Sequence, residues 1–135
     1  DESKGHIALR VDFPGGWQGD ELDLFDASQR TGVAKEVFDY TRRLFNWRKT
    51  KPVIHNGRTL HFVDRNNTYA YFRYDTSDTV FVFVNNTDHA VTVPWERYSE
   101  ITSRLSAVGR DVITGESVDM TSCNVEPLSA LIVEF

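Results

Sequence analysis

Four carboxylates crowd one short stretch near the start of the chain: Asp20, Glu21, Asp23 and Asp26, in "GDELDLFD". Carboxylates this close can share acid/base work or gather around a hard cation. The spacing is not that of a calcium loop, which needs a glycine and a distal glutamate at fixed positions. A solvated acidic turn is the ordinary alternative, because exposed carboxylates are cheaply tolerated. Just upstream stand Arg10 and Asp12, which can either bind a polar ligand or hold each other as a loop ion pair. Phe13 and Trp17 add large aromatic faces to the same stretch. The histidines, His6, His55, His61 and His89, are scattered and lack metal-ligand spacing. No metal site is expected, and no motif asks for a cofactor. Cys123 is the single cysteine, so it has no intrachain disulfide partner and reads as a structural thiol.

These residues sit in an acidic chain of 135 residues with net charge -5. That length suits one ordinary domain with a real core. A hydrophobic content of 40% places the chain among folding sequences rather than disordered ones. The negative charge argues against non-specific nucleic-acid or anionic-membrane binding, so neither is expected as a partner. No apolar run reaches the length of a membrane span, and no signal-like segment opens the sequence. The abrupt start, "DESKGH", reads as a cut inside a larger protein. Asn66-Asn67-Thr68 and Asn85-Asn86-Thr87 fit the N-glycosylation triplet, but such triplets are frequent by chance and carry no weight.

The elements that must position the candidate residues follow from periodicity. Residues 1–32 are broken by Gly5, Pro14, Gly15, Gly16, Gly19 and Gly32 and read as loop. Residues 33–50 carry Val33, Val37, Tyr40, Leu44 and Trp47 at alternating spacings of four and three, the stripe of an amphipathic helix. Phe38 and Phe45 widen that stripe. Thr31 is the expected N-cap, Glu36 and the basic Arg48, Lys49 and Lys51 suit the helix dipole, and Pro52 marks the stop. The basic end, with Arg42 and Arg43, is better explained by that dipole than by phosphate binding.

Beyond residue 58 the period becomes two. Residues 59–63, 69–74, 79–84, 90–93, 110–113, 117–120 and 130–135 read as strands, with 114–116 as a tight turn and 95–105 as one or two helical turns after Pro94. The fold class expected is mainly β, an antiparallel β-sandwich of Greek-key type preceded by a loop and one amphipathic helix.

This order of parts resembles the C-terminal end of an α-amylase-family glycoside hydrolase. "YTRRLFNWRKTKPVIHNGRTLHF" is similar to that family's last barrel helix and its passage into the β-domain. "GRDVITGESV" resembles its Asp-apolar-apolar-Thr/Ser-Gly hairpin, and "VEPLSALIVEF" its closing strand. "RVDFPGGWQGDELDLF" looks like the loop after the eighth barrel strand in the neopullulanase and cyclomaltodextrinase branch. The resemblance implies that residues 1–52 end a (β/α)8 barrel and residues 53–135 form the C-terminal β-sandwich domain.

It also implies a parent enzyme that cleaves α-glucosidic bonds in maltooligosaccharides, cyclodextrins or pullulan with retention of configuration. The periplasm or cell surface is the compartment it suggests. "RVD" (10–12) imitates the family's Arg-x-Asp nucleophile stretch. Chain order rejects the match, because half a barrel should follow and only one helix and β-strands do. No catalytic residue is therefore expected in this stretch.

Arg10, Asp12 and Trp17 are the candidates for binding sugar at the rim, where barrel active sites are built. Packing of Trp17 against the barrel is the plainer alternative. The partners implied are the α-glucan, the catalytic barrel itself, and a second copy docking through helix 33–50, whose broad apolar face needs a partner. Two other readings compete. The β-domain could be an autonomous starch- or α-glucan-binding module, using Trp95 or the strand aromatics Tyr69, Tyr71 and Tyr74, although Trp95 fits a core or edge position as well. A small complete enzyme working through the acidic loop ranks last, because no second cluster supplies a base or nucleophile.

Overall fold

The computed structural model describes residues 12–135, which divide between Thr41 and Arg42 into two compact units. In the first, a loop and a short 3-10 turn (Ala27–Gln29) lead into helix α1 (Gly32–Lys49), whose residues from Arg42 on belong to the second. At the helix start the Thr31 carbonyl accepts the Lys35 N–H at 3.3 Å, a backbone bond and not the side-chain cap expected of Thr31. Lys35 pairs with Asp39 one turn on. Glu36 falls in the second turn, so no acidic side chain faces the helix's first turn, whereas Arg48 and Lys49 do occupy the last. Pro52 ends one helix and starts another: it is the first residue of α2 (Pro52–Asn56), a short turn the sequence pattern did not announce.

The second unit is built on a six-stranded antiparallel sheet in the order β1 (Arg58–Arg65), β2 (Thr68–Tyr74), β3 (Thr79–Asn85), β8 (Ser129–Glu134), β5 (Val108–Asp111), β6 (Ser117–Asp119). Placing the last strand between β3 and β5 is the non-sequential pairing a Greek-key fold requires. β4 (Val91–Thr92) pairs separately with β7 (Asn124–Val125). β7 was not expected, because two residues are too few to show a period.

Strand β3 explains the architecture. Phe81 and Phe83 point to one face, Val80 and Val82 to the other, and all four are buried. On the first face, Phe72, Phe81, Phe83 and Val133 pack under Val93, Trp95, Tyr98 and Ile101. Trp95 and Tyr98 come from a 3-10 turn (Trp95–Tyr98) continued by α3 (Ser99–Thr102), the helical turns read from the sequence. On the second face, Val80, Val82 and Ile132 meet Val53, with Leu44, Trp47 and Ile54 half-buried against them.

Polar contacts lock both covers in place. The Trp47 indole N–H donates to Glu134 at 2.7 Å, and Lys51 pairs with the same carboxylate. Arg43 donates to the Ile113 carbonyl. Asn85, 1% exposed, donates to the carbonyls of His89, Val125 and Glu126 and accepts from the Thr87 N–H and hydroxyl. Its burial also removes it as a glycan acceptor. The Asp-Val-Ile-Thr-Gly hairpin has an equally physical cause. Asp111 accepts the Ile113 N–H at 2.8 Å and the Thr114 hydroxyl at 3.0 Å, and Gly115 takes a φ of +79° that favours glycine.

Two predictions follow from these contacts. Asn85→Ala strands several buried carbonyls and is expected to cost ~1–3 kcal/mol in urea unfolding; a change within error would show that water replaces the amide without penalty. Asp75 and Asp119 accept backbone N–H groups from Ser77, Asp78 and Thr121, which hold both carboxyls below their usual range. Their folded values are depressed, so their stabilisation is full above the unfolded value and is lost as pH falls through the folded one. Asp75→Asn should therefore lose less stability than the parent chain on acidification below about pH 4. Parallel acid limbs in the two proteins would refute that role.

Candidate functional site

The loop that carries the candidate residues is a built structure. Pro14 accepts the Leu24 N–H at 3.0 Å and closes the loop across its neck. The Gln29 amide oxygen accepts the Asp23 N–H at 2.9 Å. Gly15, Gly16 and Gly19 all sit at positive φ. Gly15 has no alternative: with φ at +106°, a Cβ there would lie 2.3 Å from the Asp23 carboxylate and 2.6 Å from the Asp23 Cα.

The acidic residues are used inside this loop. Asp20 accepts the Trp17 N–H at 3.0 Å, Asp23 the Phe25 N–H at 2.9 Å, and Asp26 the Ser28 N–H and hydroxyl, each at 2.9 Å. The backbone N–H of Ser28, then its hydroxyl, holds the Asp26 carboxyl below the usual range. These are Asx-type turns, in which a carboxylate replaces a backbone acceptor. Three of the four carboxylates are committed to shaping the loop, which accounts for the acidic run without acid/base chemistry. Among the described residues, no group of three or more His, Cys, Asp or Glu side chains could hold a metal ion.

That loop presents Phe13, Trp17, Leu22 and Phe25 to solvent, Trp17 most of all. Trp17 is 83% exposed, at the tip between Gly16 and Gly19. Asp12 is exposed as well, at the loop's start. Arg10 lies outside the described residues. Phe13 does not stand free as a second platform: its ring meets Phe25 edge-on at 4.9 Å.

Arg30, which no sequence pattern singled out, is the one buried residue among 12–41. Its guanidinium lies 3.9 Å from the Phe38 ring centroid and donates to the carbonyls of Leu24 at 2.7 Å and Phe25 at 3.2 Å. An arginine between an acidic loop and a helix is unremarkable in sequence, so only the fold shows its role.

The β-domain candidates separate. Trp95 is 8% exposed and belongs to the core, packed 4.7 Å from Phe81, so it is no sugar platform. Tyr74 turns to the same core face, because its parity on β2 is that of Phe72. Tyr69 and Tyr71 share the other face with His61, at ring separations of 5.8–6.1 Å, and His61 hydrogen-bonds the Tyr69 hydroxyl. Burial pushes the Tyr71 hydroxyl above its ordinary value. The remaining histidines have local roles: His55 bonds the Arg48 carbonyl at 3.0 Å and His89 the Asp88 carboxylate at 2.9 Å, while His6 lies outside the described residues. Cys123 is half-buried, and burial, then the Asp111 charge, raises its thiol.

Gly15→Ala is expected to break the loop, since it combines φ strain with a backbone clash. Limited proteolysis should then cut within residues 14–24 faster than in the unaltered chain. An unchanged cleavage pattern would show that the loop does not depend on this glycine.

Comparison with known proteins completes the description. An AmyP variant in complex with maltotriose superposes with a TM-score of 0.64 at 15% identity, over 77% of this chain and 21% of that one. An Anoxybacillus α-amylase gives 0.59 at 18% identity, over 78% of this chain and 24% of its own. An α-amylase from Geobacillus thermoleovorans, complexed with acarbose, gives 0.58 at 16% identity, with 78% and 24% covered. At these identities the likeness concerns the fold, and the chain spans less than a quarter of the length of each structure it matches. At the level of sequence, residues 59–134, more than half of the chain, match the family described as the cyclo-malto-dextrinase C-terminal domain. The chain belongs to that family.

Proposed function

We propose that this chain is the C-terminal part of an α-amylase-family hydrolase of the neopullulanase and cyclomaltodextrinase branch. Its parent cleaves α-1,4 bonds, and in some substrates α-1,6 bonds, of maltooligosaccharides, cyclodextrins or pullulan. Residues 1–52 supply the last barrel loop and helix, and residues 53–135 the β-domain that stabilises the barrel. The stretch contributes support and substrate contact, and the nucleophile and general acid reside elsewhere in the parent.

The observation that carries this reading is Trp17. A tryptophan 83% exposed on a rigid, hydrogen-bonded loop costs solubility unless something stacks on it. The apolar face of a glucose ring suits an indole, and Asp12 stands on the same loop to accept from sugar hydroxyls. Arg10 joins them as a donor in this proposal.

A second reading rests on a separate observation, the half-exposed row of His61, Tyr69 and Tyr71 on the β1 and β2 part of the face shared with Val80, Val82 and Ile132. In that reading the β-domain binds α-glucan by itself.

Affinity electrophoresis of the 135-residue chain through amylopectin gels separates the two. Retardation lost in Tyr71→Ala assigns binding to the sheet face; retardation lost in Trp17→Ala assigns it to the loop. In the full-length hydrolase, Trp17→Ala should raise KM roughly two- to tenfold with kcat held, the effect of losing ~0.5–1.5 kcal/mol of ring stacking. An unchanged KM would remove Trp17 from the substrate site.

A further inference from the structure

At the end of the sheet where β1 starts and β2 turns into β3, an open cleft of about 620 Å³ lies among Arg58, Tyr74, Asp75, Ser77, Asp78 and Arg104. Two arginines share this cleft with one ring. Arg58 stands directly opposite Tyr74 on the neighbouring strand, so both side chains leave the same face of the sheet. The Arg104 guanidinium lies 5.4 Å from the Tyr74 ring centroid. Among the described residues neither arginine makes an ion pair, although the chain's net charge is -5. Like charges gathered in one cleft repel unless an anion comes between them.

The cleft is shaped before anything enters it. Gly57 runs so close to β2 that a Cβ on it would lie 2.4 Å from the Val53 carbonyl oxygen and 2.9 Å from that of Tyr74, which fixes where β1 begins and so where Arg58 stands. The Asp75 carboxylate accepts the N–H groups of Ser77 at 2.8 Å and Asp78 at 2.9 Å, and the Asp75 N–H donates to the Asp78 carbonyl at 3.0 Å. Asp75 is thereby spent on its own turn, while the Ser77 hydroxyl and the Asp78 carboxylate remain at the cleft as a donor and an acceptor.

We propose that this cleft binds a phosphate monoester that carries sugar hydroxyls, of which a hexose phosphate is the smallest useful example. The phosphate lies between Arg58 and Arg104, whose planar forks match its oxygens. The sugar hydroxyls donate to Asp78 and accept from Ser77. A neutral sugar would leave the arginines without a counter-charge, and inorganic phosphate would leave Asp78 beside an anion with no donor between them. The cleft lies wholly within the second unit, and the proposal does not depend on Trp17 contacting substrate.

Isothermal titration calorimetry of the 135-residue chain tests the site with glucose 6-phosphate, inorganic phosphate and glucose as probes. Glucose 6-phosphate should bind roughly tenfold or more tightly than either of the others, and Arg58→Gln and Arg104→Gln should each weaken it by about tenfold. Trp17→Ala should leave that affinity unchanged. Arg58→Lys and Arg104→Lys keep the charge and remove the fork, so they should lose part of the affinity and still report on the site if a glutamine variant fails to fold. Absence of binding in the millimolar range, or binding that survives every arginine substitution, would overturn the site. Equal affinity for inorganic phosphate would overturn the sugar part of the ligand, and equal affinity for glucose would overturn the anion. Affinity lost in Trp17→Ala alone would move the binding to the loop and overturn the cleft.

Discussion

Strand β3 cannot be left half covered. Thr79–Phe83 and Asn85 are buried, with phenylalanines facing one way and valines the other. Each such side chain withdrawn from water is worth ~1.5–3 kcal/mol, so a cover missing from either face would forfeit several of these contributions at once. The sheet is therefore obliged to recruit two covers. One comes from residues 93–101 and the small β4–β7 sheet, the other from Leu44, Trp47, Val53 and Ile54. The second cover explains why the end of a helix that precedes the first strand belongs to the same compact unit as the β-strands.

That obligation also gives Glu134 its importance. It sits on β8, takes the Trp47 indole N–H and pairs with Lys51, so one partly buried carboxylate fixes both the last turn of α1 and the link to α2. A tryptophan there does two jobs. Its ring fills the apolar cover and its N–H orients the helix end, which a phenylalanine of similar size could not do. Asn85 does the corresponding work on the opposite side, where irregular backbone around residues 87–89 and 125–126 needs donors that no strand supplies.

What was legible in the sequence was whatever has a period. The helix was read to within one residue at each end, because Val37, Leu44 and Trp47 mark its stripe and Pro52 its limit. Strands β2 and β3 were read to within a residue from their alternating aromatic and β-branched residues. β7 and α2 escaped, since two to five residues hold no period and their stability comes from partners distant in sequence. Side-chain direction was only partly legible. Tyr69, Tyr71 and Tyr74 looked like one aromatic row, yet parity on the strand sends Tyr74 into the core with Phe72. Arg30 was invisible, because burial of a charged residue depends on carbonyls that a loop brings to it, and loops carry no pattern from which that convergence can be read.

The loop of residues 12–30 shows how the same chemistry can serve shape or recognition. Its carboxylates looked reactive as a cluster, but three of the four, Asp20, Asp23 and Asp26, are tied to N–H groups of their own loop, and that engagement holds the Asp26 carboxyl below its usual range. The glycines looked like slack, but Gly15 sits where any side chain would strike Asp23. A loop that devotes three carboxylates and three left-handed glycines to its own geometry is rigid by construction, and rigidity lowers the entropic cost of whatever its exposed residues bind. In the proposed sugar contact, Trp17 is the residue on which that rigidity is brought to bear.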